Sequence, residues 1–189
     1  MKTVKKISCK DNYPSASTML EISKNEYERE RERSNMLDNK ASFFLSASIA
    51  VLTIFIPIIP FSKMLNFFIS ATKVYFSIAI IALCLLLAAL ILFIISVSNL
   101  YSAYNIRQYK NINYENLNDE GILQTKKNQT ERGLIKHYNS ILIYNATINN
   151  EKAKKIQIGL KYSVLSFFLI FVSTITLIIL IGGLSNGQA

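Results

Sequence analysis

The sequence predicts an all-α membrane protein: three transmembrane helices, with long cytoplasmic helices continuous with the first and third spans. Three observations predict it. The stretches 41–62, 74–104 and 162–184 contain no Asp, Glu, Lys, Arg or His. Each reaches the roughly 20 residues a helix needs to cross a bilayer core about 30 Å thick. Their composition is also that of helices, which satisfy their backbone hydrogen bonds locally where no water is available. The polar remainder, 1–40 and 105–161, lacks the apolar content of a large independent core, so no separate soluble enzyme domain is expected.

Charge placement orients the spans. The net charge is +9. Nine Lys and Arg precede the first span (Lys2, Lys5, Lys6, Lys10, Lys24, Arg29, Arg31, Arg33, Lys40), and ten lie between the second and third. The connection between the first two spans has only Lys63 and Lys73, and the tail has none. Basic residues flanking spans stay inside. The expected topology therefore puts the N-terminus in, 62–73 out, 105–161 in and the C-terminus out. No apolar signal-peptide region follows the basic start.

Residues 1–16 read as disordered. A charged cytoplasmic helix is expected over 17–40, starting near Thr18, where Thr18 and Glu21 fit a capping box. Residues 26–33 alternate Glu with Arg, so Glu26–Arg29, Glu28–Arg31 and Glu30–Arg33 attract at i,i+3. No Pro or Gly separates this helix from the first span, 41–62. That span carries a stripe of small or weakly polar residues: Ser42, Ser46, Ala50, Thr53 and Pro57. Small residues let membrane helices approach closely. The stripe either packs within the monomer or faces an oligomer axis and lines a pore, with Ser46, Ala50, Thr53 and Pro57 as the lining. Pro57 removes an N–H and predicts a kink near the outer end.

The second span, placed at 74–100, is mainly Leu, Ile and Ala. Ala82, Ala89 and Ser96 recur every seven residues, which suits close packing. The loop and helix of 101–161 follow, with a turn signal at Asn118, Asp119, Glu120 and Gly121. From about Thr130 a second long helix runs into the third span, 162–184. Its apolar stripe, Leu134, Tyr138, Ile141 and Ile148, is interrupted by Asn145. A polar residue in such a seam fixes register and partner number. The stripe is expected to pack on the 18–40 helix of the same chain or of a neighbour.

The missing chemistry is informative. His137 is the only histidine, with no acidic partner placed by spacing. The two cysteines, Cys9 and Cys84, make neither a disulfide framework nor a metal site. There is no phosphate-binding glycine loop, metal-ligand cluster or nucleophile motif. No ionisable side chain lies within a span, which disfavours an ion-coupled carrier. A non-enzymatic pore, a membrane disruptor or a partner subunit remains, without cofactor or metal, and nothing calls for duplex nucleic acid.

One segment carries a resemblance. Residues 27–42 read Tyr-Glu-Arg-Glu-Arg-Glu-Arg-Ser-Asn-Met-Leu-Asp-Asn-Lys-Ala-Ser. A charged Glu-Arg helix, then Leu-Asp-x-Lys-Ala, running straight into a first span resembles small prokaryotic membrane effectors of anti-phage nucleotide signalling. The likeness is above all to the transmembrane effector of Pycsar systems. Two-span effectors encoded beside nucleotide cyclases and nucleotidyltransferases, and the Hailong channel subunit, are similar. The matching motif residues are Arg33, Leu37, Asp38 and Lys40. The resemblance implies a protein silent until infection. A nucleotide second messenger or nucleotide oligomer, made by a partner cyclase or nucleotidyltransferase, then rearranges a homo-oligomer and permeabilises the membrane. Phosphates need cationic donors, and here those are cytoplasmic: Arg29, Arg31, Arg33, Arg107, Lys126, Lys127, Arg132 and Lys136. A regulatory or scaffolding subunit and a holin-like toxin are the competing readings.

Overall fold

The computed structural model describes residues 15–59, 63–64, 67, 69, 72–106, 109–112 and 125–186, the side chains of 183–186 excepted. Three long helices account for nearly all of it: α1, Ala16–Phe55; α2, Lys73–Asn105; and α3, Lys127–Asn186. A 3₁₀ turn, Ile56–Ile58, follows α1. Among the described residues there is no strand. Each long helix contains a stretch long and apolar enough to cross a membrane, as the composition requires. The charged segment and the first span lie on one helix, and so do the segment from Lys127 onward and the third span. The expected disordered start, Cys9, Arg107 and the turn at Asn118 to Gly121 lie outside the described residues.

Each helix buries one narrow seam. On α2 the buried positions are Ala79, Ala82, Leu86, Ala89, Phe93, Ser96, Leu100 and Ala103, a strict alternation of three and four. On α1 they are Ala16, Ser23, Tyr27, Ser34, Ala41 and Ser48, nearly all seven apart. On α3 the same period runs through Ile141, Asn145, Asn149, Lys152, Ile156, Ser163, Ser166, Ile170, Ser173 and Leu177. A repeat averaging 3.5 residues keeps one stripe facing its partners along the length of a helix. The Ala82, Ala89, Ser96 repeat read from the sequence is part of this seam.

The chain divides into two compact units. The polar unit comprises Met1–Asn35 and Gln108–Asn150. Its core is Tyr27, Ile112 and Ile141, flanked by Tyr109, Tyr138 and Leu142. Tyr138 meets the Tyr27 ring edge-on, at 5.8 Å between centroids. Tyr138 and Ile141 of the expected apolar stripe of α3 thus pack on α1 of the same chain.

The apolar unit comprises Met36–Arg107 and Glu151–Ala189. Ala41, Leu100, Ala103 and Ile156 form one core cluster. Hydroxyls fasten the helices along their seams. Ser96 Oγ donates to Gly159 O at 2.6 Å, Ser166 Oγ donates to Ala89 O at 2.8 Å, and Ser48 Oγ meets Ser163 Oγ at 3.1 Å. Gly159 is there because nothing larger fits: a Cβ would stand 2.7 Å from Leu100 Cγ.

Four expectations are corrected. The helix begins at Ala16, with Met19 N–H donating to Ser15 O, so Thr18 sits inside the first turn and forms no cap. The third helix begins at Lys127 rather than near Thr130, because Lys126 O already accepts from the N–H groups of Gln129 and Thr130. Pro57 does not kink a continuing α-helix. The α-helix stops at Phe55, and Pro57 occupies the first turn of a 3₁₀ segment, where a missing N–H is harmless. Asn145 does not meet a facing helix as a register residue would. It clamps a backbone segment, for the reason given below.

Candidate ligand site

The polar unit carries an open cavity of about 360 Å³ between the first two turns of α1 and residues 132–139 of α3, with Met19, Ile22, Arg132 and Asn139 exposed along it. Its positions follow from helical spacing. Ser15, Ala16, Met19, Ile22 and Ser23 share one face of α1, and Arg132, Ile135 and Asn139 share one face of α3, at the i, i+3, i+7 intervals that align side chains. Ala16, Met19, Ile22 and Ile135 supply apolar wall. Ser15, Ser23, Arg132 and Asn139 supply hydrogen-bonding groups and one permanent positive charge. Pockets for small ligands combine such walls with a few polar groups and start near 300 Å³. The volume suits one nucleotide-sized ligand better than a chain of several.

The eight cationic candidates separate on inspection. Arg132 lines the cavity. Arg29 Nη1 pairs with Glu26 at 2.7 Å on the open face of α1. Arg33 reaches Glu30 at 3.3 Å with Nη1 and donates from Nη2 to Asn150 Oδ1 at 2.8 Å. Lys127 Nζ lies 3.8 Å from Glu131. Arg31, Lys126 and Lys136 are exposed, as Arg132 is, but are not among the residues lining the cavity, and Arg107 lies outside the described residues. Two of the three expected pairs of the alternating run thus form, Glu26–Arg29 and Glu30–Arg33, each of a kind that contributes about 0.2–0.5 kcal/mol, and Glu28–Arg31 does not.

Two asparagines brace the unit that holds the cavity. Asn145 Nδ2 donates to Lys110 O at 3.1 Å, and Lys110 N–H donates back to Asn145 Oδ1 at 3.0 Å. A carboxamide has the same donor and acceptor as a peptide group, so Asn145 acts as a one-residue strand for the segment 109–112. Lys110 Nζ also sits 4.2 Å from the centroid of the Tyr144 ring, a cation–π contact. One turn on, Asn149 Nδ2 donates to Glu30 O at 2.9 Å and Glu30 Oε2 at 2.7 Å. Tyr109 completes the aromatic core. Burial, and next the neighbouring Tyr27, raise its pKa above the ordinary 10.0.

The family-motif residues fall in the apolar unit, Arg33 excepted. Leu37 packs on the core around Ala41, Lys40 is exposed, and Asp38 binds Lys152. The small-residue stripe of α1 is exposed throughout, at Ser42, Ser46, Ala50, Thr53 and Pro57. Thr53 Oγ1 folds back onto Ile49 O at 2.9 Å. The stripe therefore does not pack within the chain, which was one of its two readings. Sequence reasoning missed Ser15, Ser23 and Asn139 in the cavity. The available signal was that Asn139 stands seven residues after Arg132, with Ile135 between them on one face.

A family model described as the Pycsar effector protein domain matches residues 23–181. Comparison with curated proteins and with solved structures gives no match.

Proposed function

The chain belongs to the Pycsar effector family, membrane effectors of anti-phage defence that respond to cyclic nucleotide signals, and from that premise we propose its mechanism. The protein assembles as a homo-oligomer in the bacterial inner membrane, with its N-terminus and polar unit in the cytoplasm. A cyclic mononucleotide enters the cavity at Arg132, its phosphate against the guanidinium and its base against Ile22 and Ile135. The ligand is not chemically altered; the protein acts as a receptor, not an enzyme. Binding drives opening only by favouring the open arrangement over the closed one. α1 and α3 each supply residues to both units, so a shift at the cavity has a continuous helix to act through. The exposed stripe of Ser46, Ala50, Thr53 and Pro57 then lines the pore between subunits, and ion leakage arrests the infected cell.

The observation that carries this reading is the cavity itself. It combines nucleotide size, apolar walls and an arginine on the two helices that also carry the first and third spans. Titration calorimetry of the purified full chain with cyclic mononucleotides tests it. Binding should weaken about tenfold or more in Arg132→Gln, the loss expected for a charge-assisted phosphate contact, and stay unchanged in Arg29→Gln. Equal affinity in Arg132→Gln rejects the cavity. No binding by the wild-type chain rejects nucleotide gating.

A further inference from the structure

In the apolar unit a half-buried ion pair, its lysine enclosed and its aspartate about one-third exposed, joins the residues that lead into the first and third spans. Lys152 is 3% exposed, and its Nζ donates to both carboxylate oxygens of Asp38, at 2.8 and 3.0 Å. The two residues are 114 positions apart. Immediately beyond the pair lies the apolar cluster of Ala41, Leu100, Ala103 and Ile156. The next polar contact is Lys155 Nζ donating to Ser102 Oγ at 2.8 Å.

Such a pair is a poor device for stability, because the cost of desolvating the enclosed Lys152 ammonium offsets most of its attraction to Asp38. Its best-attested use is to specify register. The surroundings here fit that use. Lys155, one turn beyond Lys152, lies off the buried seam with its Nζ on Ser102 Oγ. The buried positions one turn either way are Asn149 and Ile156 on α3 and Ser34 and Ala41 on α1, and none of these four is ionisable. A one-turn slip of α1 against α3, about 5.4 Å, would leave the ammonium and the carboxylate each facing a neutral residue. Such one-turn steps are a known form of switching between packed helices, and Asp38 with Lys152 singles out one of the registers.

We propose that Asp38 and Lys152 form the register lock of the resting effector, holding α1 and α3 in the closed alignment until activation separates them. The proposal rests on the pore reading above. It fixes the sign of the mutational effect: loss of the lock opens the protein, whereas loss of a mere buttress silences it.

Dye-loaded vesicles of phosphatidylethanolamine and phosphatidylglycerol, carrying the full chain, read this directly. Without nucleotide, Asp38→Asn and Lys152→Gln each leak about tenfold faster than wild type. The double exchange Asp38→Lys with Lys152→Asp returns leakage to within about twofold of wild type. In detergent, the thermal midpoints of both single variants fall and that of the exchange recovers, which reads the pair independently of any pore. Single variants that are silent without nucleotide, while wild type leaks when cyclic mononucleotide is added, overturn the lock. An exchange that leaks as fast as the single variants also overturns it. If wild type does not leak with nucleotide and no variant leaks, yet the midpoints follow the charge exchange, the pore reading fails and the lock with it.

Discussion

In the polar unit the buried seam of α3 carries Ile141, Asn145 and Asn149; in the apolar unit the same seam carries Ser163, Ser166, Ile170 and Ser173. The period is identical and the polar chemistry differs. The asparagines reach outward, to a loop backbone and to a carboxylate. Both asparagines are fully buried, so each bond contributes about 0.5–1.5 kcal/mol net, and leaving a partner buried and unmet costs about 1–3 kcal/mol. The serines reach only as far as a carbonyl or hydroxyl of the adjacent helix. They let backbones close to contact where no solvent bond is on offer. The comparison teaches that one seam is fastened in two ways: by carboxamides reaching a loop and the Glu30 side chain in the polar unit, and by short hydroxyl bonds from helix to helix in the apolar unit.

The strongest way to break this contrast is at Gly159. Gly159→Leu drives a side chain into Leu100 and Ser96 O, and overpacking of this kind costs about 1–3 kcal/mol or more. The purified variant should lose its folded, monodisperse state in detergent, whereas Gly133→Leu, with nothing within 4 Å of its added Cβ, should keep it. Equal behaviour would show that the seam of the apolar unit is looser than described.

Next in size is Asn149→Leu, which removes both bonds to Glu30. About 1–3 kcal/mol should be lost from the polar unit, read as a lower urea midpoint for its unfolding. Asn145→Ala should act more locally. Amide exchange at Lys110 should accelerate about tenfold, since its N–H loses a bond worth about 1.4 kcal/mol, while exchange on α2 stays unchanged.

The smaller effects sharpen the contrast inside the seam. Ser166 Oγ is bonded to Ala89 O, whereas Ser173 Oγ is buried without a hydrogen-bond partner among the described residues. Hydrogen bonds between membrane helices average about 0.6 kcal/mol. Ser166→Ala should therefore cost about that much in a detergent-unfolding titration, and Ser173→Ala should cost nothing or stabilise. The smallest effect is alkaline. Tyr109 holds its proton more tightly folded than unfolded, so its share of stability is intact below about pH 10 and declines above that, as the unfolded chain deprotonates first. Tyr109→Phe should flatten that decline, measured by thermal midpoint against pH.

The architecture was legible because long-period signals are local. Charge-free stretches, the Ala82, Ala89, Ser96 repeat and the stripe of Leu134, Tyr138 and Ile141 can each be read off one helix without knowing its partner. What stayed hidden was pairing at a distance. Nothing near Asp38 announces Lys152, and nothing near Asn149 announces Glu30. Asn145 was visible as an interruption, but its partner is the backbone at Lys110, which no side-chain pattern encodes. The cationic list had the same weakness. Charge says which residues can meet a phosphate, and only the fold shows that Arg29 and Arg33 already face carboxylates while Arg132 borders a cavity. The capping box failed because Ser15 offers its carbonyl one turn earlier than the Thr18 pattern assumed.

Ligand-controlled opening of the membrane is the central step of the proposed mechanism. The most direct measurement is the membrane potential of living cells that express the intact chain, before and after a cyclic mononucleotide is raised inside them by an inducible cyclase. Full polarisation beforehand, rapid collapse afterward, and no collapse in cells carrying Arg132→Gln is the predicted result. A potential that stays intact when the nucleotide rises, or one already collapsed without it, would contradict the account.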